Sequence, residues 1–153
     1  MYQEWVRFTL TIRRVEGSET ELEGEMVNES WYGPKTESIR GPCAGRLQYI
    51  VAMEAKGTYV GDEVEFHGTS WRMEEALCAV GPGFRYNLDR FSGVIDHEIE
   101  EFQSLNNDGG RYINVPTVFR RVSCGDQPDP TPQVMVAPPP FYPEAEDKGC
   151  GFR

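Results

Sequence analysis

The chain predicts an all-β protein, an antiparallel up-and-down meander of seven to nine strands closing into a barrel, with a two-sheet β-sandwich as the alternative. Three observations carry that expectation. Apolar residues recur with a period of two over much of residues 5–124, and the gaps between the runs hold the Gly, Pro, Asn and Asp of tight turns. No long helical period supplies the crossovers of a parallel sheet, and successive short hairpins favour a barrel over a Greek-key sandwich.

The first run, residues 5–15, sends Val6, Phe8, Leu10 and Ile12 one way and Trp5, Arg7, Thr9, Thr11 and Arg13 the other, which is a half-buried strand. After Gly17-Ser18 the alternation resumes, with Leu22, Gly24 and Met26 opposed to Glu19, Glu21, Glu23 and Glu25. The carboxylate face belongs in water, where Arg7 and Arg13 stand ready to pair across the hairpin. Residues 28–42 contain Gly33-Pro34 and Gly41-Pro42 and read as a loop with at most a short strand through 37–40.

Residues 47–60 form a long strand with Leu47, Tyr49, Val51 and Met53 on one side. Gly61-Asp62 turns it, and residues 63–69 return with Val64 and Phe66 opposed to Glu63, Glu65 and His67. Residues 71–80 are read as another strand, although Met73-Glu74-Glu75-Ala76-Leu77 has a local helical preference. The last hairpin, residues 91–122, places Phe91, Gly93, Ile95, His97 and Ile99 on one face and turns at Asn106-Asn107-Asp108-Gly109-Gly110. Pro116, lacking an amide hydrogen, marks a bulge, an end or an edge in the return strand.

These runs define a barrel domain over residues 1–124. Residues 125–153 carry seven of the eleven prolines, including Pro138-Pro139-Pro140, and read as a proline-rich extended or disordered tail.

Composition excludes several functions. A formal charge of −10 repels a phosphate backbone and an anionic membrane surface, so no nucleic-acid partner is expected, and no run approaches the length of a membrane span. The segment 1–7 has no basic region followed by an apolar one, so cytoplasmic residence is expected, with a secreted chain as the alternative. Cys43, Cys78, Cys124 and Cys150 include no Cys-x-x-Cys pair. Free thiols are expected, with three connectivities open if all four pair. Asn28-Glu29-Ser30 matches a glycosylation sequon.

Two histidines, His67 and His97, are too few for a His-rich metal site, and no phosphate loop or nucleophile elbow occurs. No cofactor, metal or catalytic residue is therefore expected, and the chain reads more readily as a binding protein than as an enzyme. Asp96 and Glu98 flank His97 but point to the opposite face of a strand, so neither orients its imidazole. The aromatic residues Trp5, Trp31, Trp71, Tyr49, Tyr59, Phe66, Phe84, Tyr86, Phe91 and Phe119 supply either a packed core or the lining of an apolar cup.

The order of long hairpin-joined strands, with Trp5 on the first and Arg120 and Arg121 on the last, resembles in outline the calycin group of lipocalin-, fatty-acid-binding- and avidin-like barrels. In those families a first-strand Trp often packs against a basic side chain of the last strand. Lipocalins carry Gly-x-Trp there, whereas this chain has Gln3 two residues before Trp5. The resemblance is architectural, covers residues 1–124 and transfers no ligand. The functional expectation is a barrel that binds a small apolar or amphipathic ligand in its interior, through Tyr49, Trp71, His97, Arg120 and Arg121. The alternative is a protein-interaction module using the acidic surface or the proline-rich tail.

Overall fold

The structure, a computed structural model, describes residues 1–124 and 150–152. Seven antiparallel strands follow one another in a single meander sheet that curls into a half-barrel, with no helix among the described residues. They are β1 (Tyr2–Arg14), β2 (Glu21–Pro34), β3 (Gln48–Val60), β4 (Glu63–Cys78), β5 (Arg90–Asp96), β6 (Glu101–Asn106) and β7 (Val115–Cys124). A three-residue strand, β8 (Cys150–Phe152), pairs antiparallel with both β7 and β1. One continuous sheet sets aside the two-sheet sandwich. The rest of the proline-rich segment expected over 125–153 lies outside the described residues.

Alternation decides which face is concave. Val6, Phe8, Leu10 and Ile12 of β1 are buried together with Leu22, Met26, Val51, Met53, Phe66, Phe91, Phe102 and Phe119, and these side chains form one core on the inner face. Close strand approach tightens the curl. A Cβ on Gly24 would stand 1.9 Å from the Thr11 carbonyl oxygen and one on Gly93 1.9 Å from that of Gln103, so only glycine fits at either position. Register shifts along β3 and β4 add local twist.

The outer face carries charge. Arg13 pairs with Glu23 directly across β1–β2, within the Glu19–Glu25 row as expected, whereas Arg7 pairs with Glu29, beyond that row in a stretch read as loop, and Arg72 reaches Glu25 from β4.

Three expectations are corrected. Residues 28–34 are not loop but the end of β2, paired with β1 as far as Tyr2↔Pro34, because ladder bonds to β1 and inward burial of Asn28 and Ser30 outweigh the turn preference of Gly33-Pro34. Residues 63–69 and 71–78, both read as strand, form one continuous strand without a break at Ser70, since β3 is long enough to pair with all of it. The run 91–99 is not one strand. The Asp96 carboxylate accepts the amides of Glu98 (3.0 Å) and Ile99 (3.4 Å), and Glu100 adopts φ 55°, so the chain reverses between β5 and β6. His97 and Ile99 therefore lie in a turn, off the face that Phe91 shares.

Cys43 and Cys78 form a disulfide, against the free-thiol expectation for these two, fastening the 35–47 loop to the end of β4. Asn28 is 2% exposed, so folded protein does not present this sequon to a glycosyltransferase.

Candidate functional site

The two ends of the half-barrel differ. At one end lie the short β1–β2, β3–β4 and β5–β6 turns; at the other are the longer connections 35–47, 79–89 and 107–114. Toward the second end the inward positions change from apolar to polar on several strands. On β2, Met26 is followed by Asn28 and Ser30; on β6, Phe102 by Ser104 and Asn106; on β7, Phe119 is preceded by Thr117. All five polar residues are buried, so each needs a partner within the protein.

The 79–89 loop supplies partners and an aromatic lining. Ala79 adopts φ 54°, the Phe84 amide donates to the Gly81 carbonyl at 3.0 Å, and the chain turns back along the interior. Phe84, Tyr86 and Leu88 then pack on the core at every second position, while Arg85 and Asn87 stay exposed between them. Phe84 lies 5.0 Å from Tyr49 and 5.9 Å from Trp71, ring centre to ring centre, and Tyr86 lies 6.0 Å from both. Edge-on and tilted contacts of this kind suit the ring quadrupoles.

Beneath these rings runs a buried hydrogen-bond chain. Ser30 Oγ donates to Asn28 Oδ1 (3.0 Å), Asn28 Nδ2 donates to the Tyr86 hydroxyl (2.7 Å), and that hydroxyl donates to Asp89 Oδ2. Asn106 Nδ2 donates to Asp89 Oδ1 at 2.8 Å. The backbone carbonyl of Asp89 accepts the Gly68 amide at 2.9 Å and fixes the loop to β4. Asn106 Oδ1 is buried without a hydrogen-bond partner.

Burial sets the electrostatics. It raises Asp89 from the usual carboxylate range to about 7, against the hydrogen bonds from Tyr86 and Asn106 that favour the anion. Burial also raises Tyr86, with the Asp89 charge adding to the shift, and it raises Tyr49 and Tyr112. At neutral pH these phenols remain donors. A cavity of about 150 Å³ opens onto this arrangement, lined by Asn28, Tyr49, Phe84, Tyr86, Asp89 and Tyr112 among others. At its rim Arg111 pairs with Glu4 and lies over the Tyr112 ring, 5.5 Å from its centre.

The five residues expected to bind ligand divide between the two ends. Tyr49 lines the cavity, and Trp71 packs against the lining rings Phe84 and Tyr86 without lining it itself. His97 does not: in the β5–β6 turn its Nε2 lies 3.1 Å from Asp62 Oδ1 and 3.4 Å from the Tyr59 hydroxyl, at the opposite end. The strand alternation that was to keep Asp96 and Glu98 from it does not apply in this turn, and Asp62 of the neighbouring turn supplies its carboxylate partner. Arg120 and Arg121 pair with Glu101 and Glu100 beside that turn. Trp5 stacks on Trp31 at 6.2 Å and donates from Nε1 to the Pro34 carbonyl. Asn28, Tyr86, Asp89, Asn106 and Tyr112 had not been singled out as ligand-binding. For Asn28 and Asn106 the signal is a polar residue at an inward position of a strand that is otherwise apolar inside; Tyr86, Asp89 and Tyr112 lie in the 79–89 and 107–114 connections, where no strand alternation points to them.

Among the described residues no cluster of three or more His, Cys, Asp or Glu side chains is arranged to hold a metal ion, and no helix is long and apolar enough to cross a membrane. Compared with protein-family models, curated proteins and solved structures, the chain matches none.

Proposed function

We propose that this chain is a small-ligand-binding barrel of calycin-like type, closed by β8, whose site is the aromatic recess at the 79–89 end. The observation that carries the reading is the buried Asp89 hydrogen-bond chain lying directly under rings that border a cavity. Phe84, Tyr86 and Tyr49, packed against Trp71, offer an apolar slot for a flat or alkyl body, and Asn28, Asp89 and Tyr112 in the cavity lining offer polar groups for a small polar head. The ligand class is thus small and amphipathic. The centre of the interior is occupied by phenylalanine rings and takes no part.

The interaction-module reading receives less support, since Glu23 and Glu25 of the acidic face are paired with Arg13 and Arg72. The Cys43–Cys78 disulfide supports an oxidising compartment in place of the cytoplasmic location expected from the N-terminal segment.

The test is NMR titration of the labelled protein with phenols, aryl amines and medium-chain alcohols as probes. The reading expects saturable shifts at the Trp71 indole N–H and the Tyr86 and Asp89 amides, weakened at least about tenfold by Phe84→Ala. Saturable shifts confined to other surfaces, or no binding across the panel, would overturn it.

A further inference from the structure

We propose that Cys124 and Cys150 form a second disulfide, which joins β7 to β8. The backbone register carries the inference. Cys124 of β7 and Cys150 of β8 are directly opposed partners of an antiparallel ladder. Such partners share a face and hold their Cα atoms about 4.5–5.5 Å apart, inside the range a disulfide spans.

That alignment depends on an irregularity. Arg121 opposes Phe152, yet Ser123 opposes Gly151, so the ladder slips by one residue between them. Without the slip, Cys124 would face Gly149, and Cys150 would face Ser123. The bulge at the end of β7 thus brings the two cysteines opposite each other.

Elimination agrees with register. Cys43 and Cys78 are already joined, with Cα atoms 5.5 Å apart, which leaves these two as the remaining cysteines of the chain. Stability argues the same way. A strand as short as β8 forms few ladder bonds to offset the entropy of closing the long connection from β7, and a covalent bond at the point of return removes that cost from folding.

The chemistry is a thiol–disulfide exchange. Two thiols lose two protons and two electrons to a disulfide oxidant, such as oxidised glutathione or an oxidoreductase disulfide, which is reduced to two thiols as the Sγ–Sγ bond forms.

The test is peptide mapping of protein purified from an oxidising compartment, with free thiols blocked by a maleimide under denaturing conditions before digestion without reduction. The expected result is no maleimide on any cysteine and one linked peptide pair containing Cys124 and Cys150, which separates on reduction. Maleimide on Cys124 and Cys150 while Cys43–Cys78 stays linked would overturn the proposal. A link from either to Cys43 or Cys78 would overturn it too. Mapping the unmodified chain needs no variant to fold. Cys150→Ser adds a second reading, in which Cys124 alone becomes maleimide-reactive.

Discussion

The interior of this protein has two halves built on the same alternating strand positions, and they differ only in what those positions carry. In one half Phe8, Phe91, Phe102 and Phe119 interlock, with Phe91 edge-on to Phe8 at 5.0 Å and to Phe119 at 4.9 Å. In the other, Asn28, Ser30, Ser104, Asn106 and Thr117 take the inward places. The boundary is sharp, since Phe91 and Asn106 are direct partners across β5–β6. The apolar half gains from every buried carbon and makes no directional demand. The polar half holds together only if each group finds its partner, and Asn106 Oδ1 is a buried acceptor left without one.

The largest effect should come from the apolar half. Phe91→Ala removes a fully buried ring that two others contact, and should cost about 3–5 kcal/mol in denaturant unfolding. A loss below about 1 kcal/mol would mean that the rings do not interlock and that the two halves differ less than their composition says.

Next in size is the pH response of the polar half. Asp89 is raised in the folded state from 3.8 to about 7, so folding favours its protonated form. The sign follows. Stability from this group is full below about pH 4 and is lost as pH rises toward and through 7, by roughly 2–4 kcal/mol. Asp89→Asn should abolish that slope and leave the variant more stable than the parent at pH 8, since a neutral amide can still accept from Tyr86, while the Asn106 amide can rotate to accept from it. Unfolding curves between pH 4 and 8 decide the matter. An unchanged slope in the variant would place the titration elsewhere.

Tyr86→Phe should cost less, about 1–3 kcal/mol, because it leaves Asn28 Nδ2 and Asp89 Oδ2 without the hydroxyl between them. It should also move the Asp89 midpoint further up, since the lost hydrogen bond favoured the carboxylate. A midpoint that falls, read by carboxyl carbon NMR, would show that the hydroxyl does not stabilise the anion.

The two halves were also unequally legible in the sequence. Period-two apolar runs identified the core faces of β1, β3 and much of β4, because burying alternate side chains leaves that pattern wherever a sheet covers a dry interior. The polar half breaks the pattern by construction. Asn28 and Ser30 sit at inward positions, but beside Gly33-Pro34 they read as loop, and Asn106 read as the first residue of a turn. Asp89 lies outside any alternating run and reaches its place only through the fold of the 79–89 connection. Tyr49 and Trp71 were read as facing inward because aromatic residues keep the apolar alternation, and both pack against the core. His97 was misplaced because an Asx turn at Asp96 reverses a run whose alternation continues through it. The β7–β8 register joins residues separated by a long connection, which no local pattern encodes.

The smallest effect belongs to the outer face, and it serves as the control for the comparison. Arg13 pairs with Glu23 at 2.8 Å, but its side chain is 69% exposed and that of Glu23 39%, so water screens both charges. Arg13→Ala should change stability by less than about 1 kcal/mol, and by less again in high salt. Its more important expected result is a null one in the interior. Ile12 and Leu22 lie between this pair and the core as buried neighbours in β1 and β2, and the Asp89 midpoint should stay where it is. If Arg13→Ala moves that midpoint, the interior feels the surface charge pattern as a whole, and the polar half draws its pKa from the field of the protein rather than from its own burial.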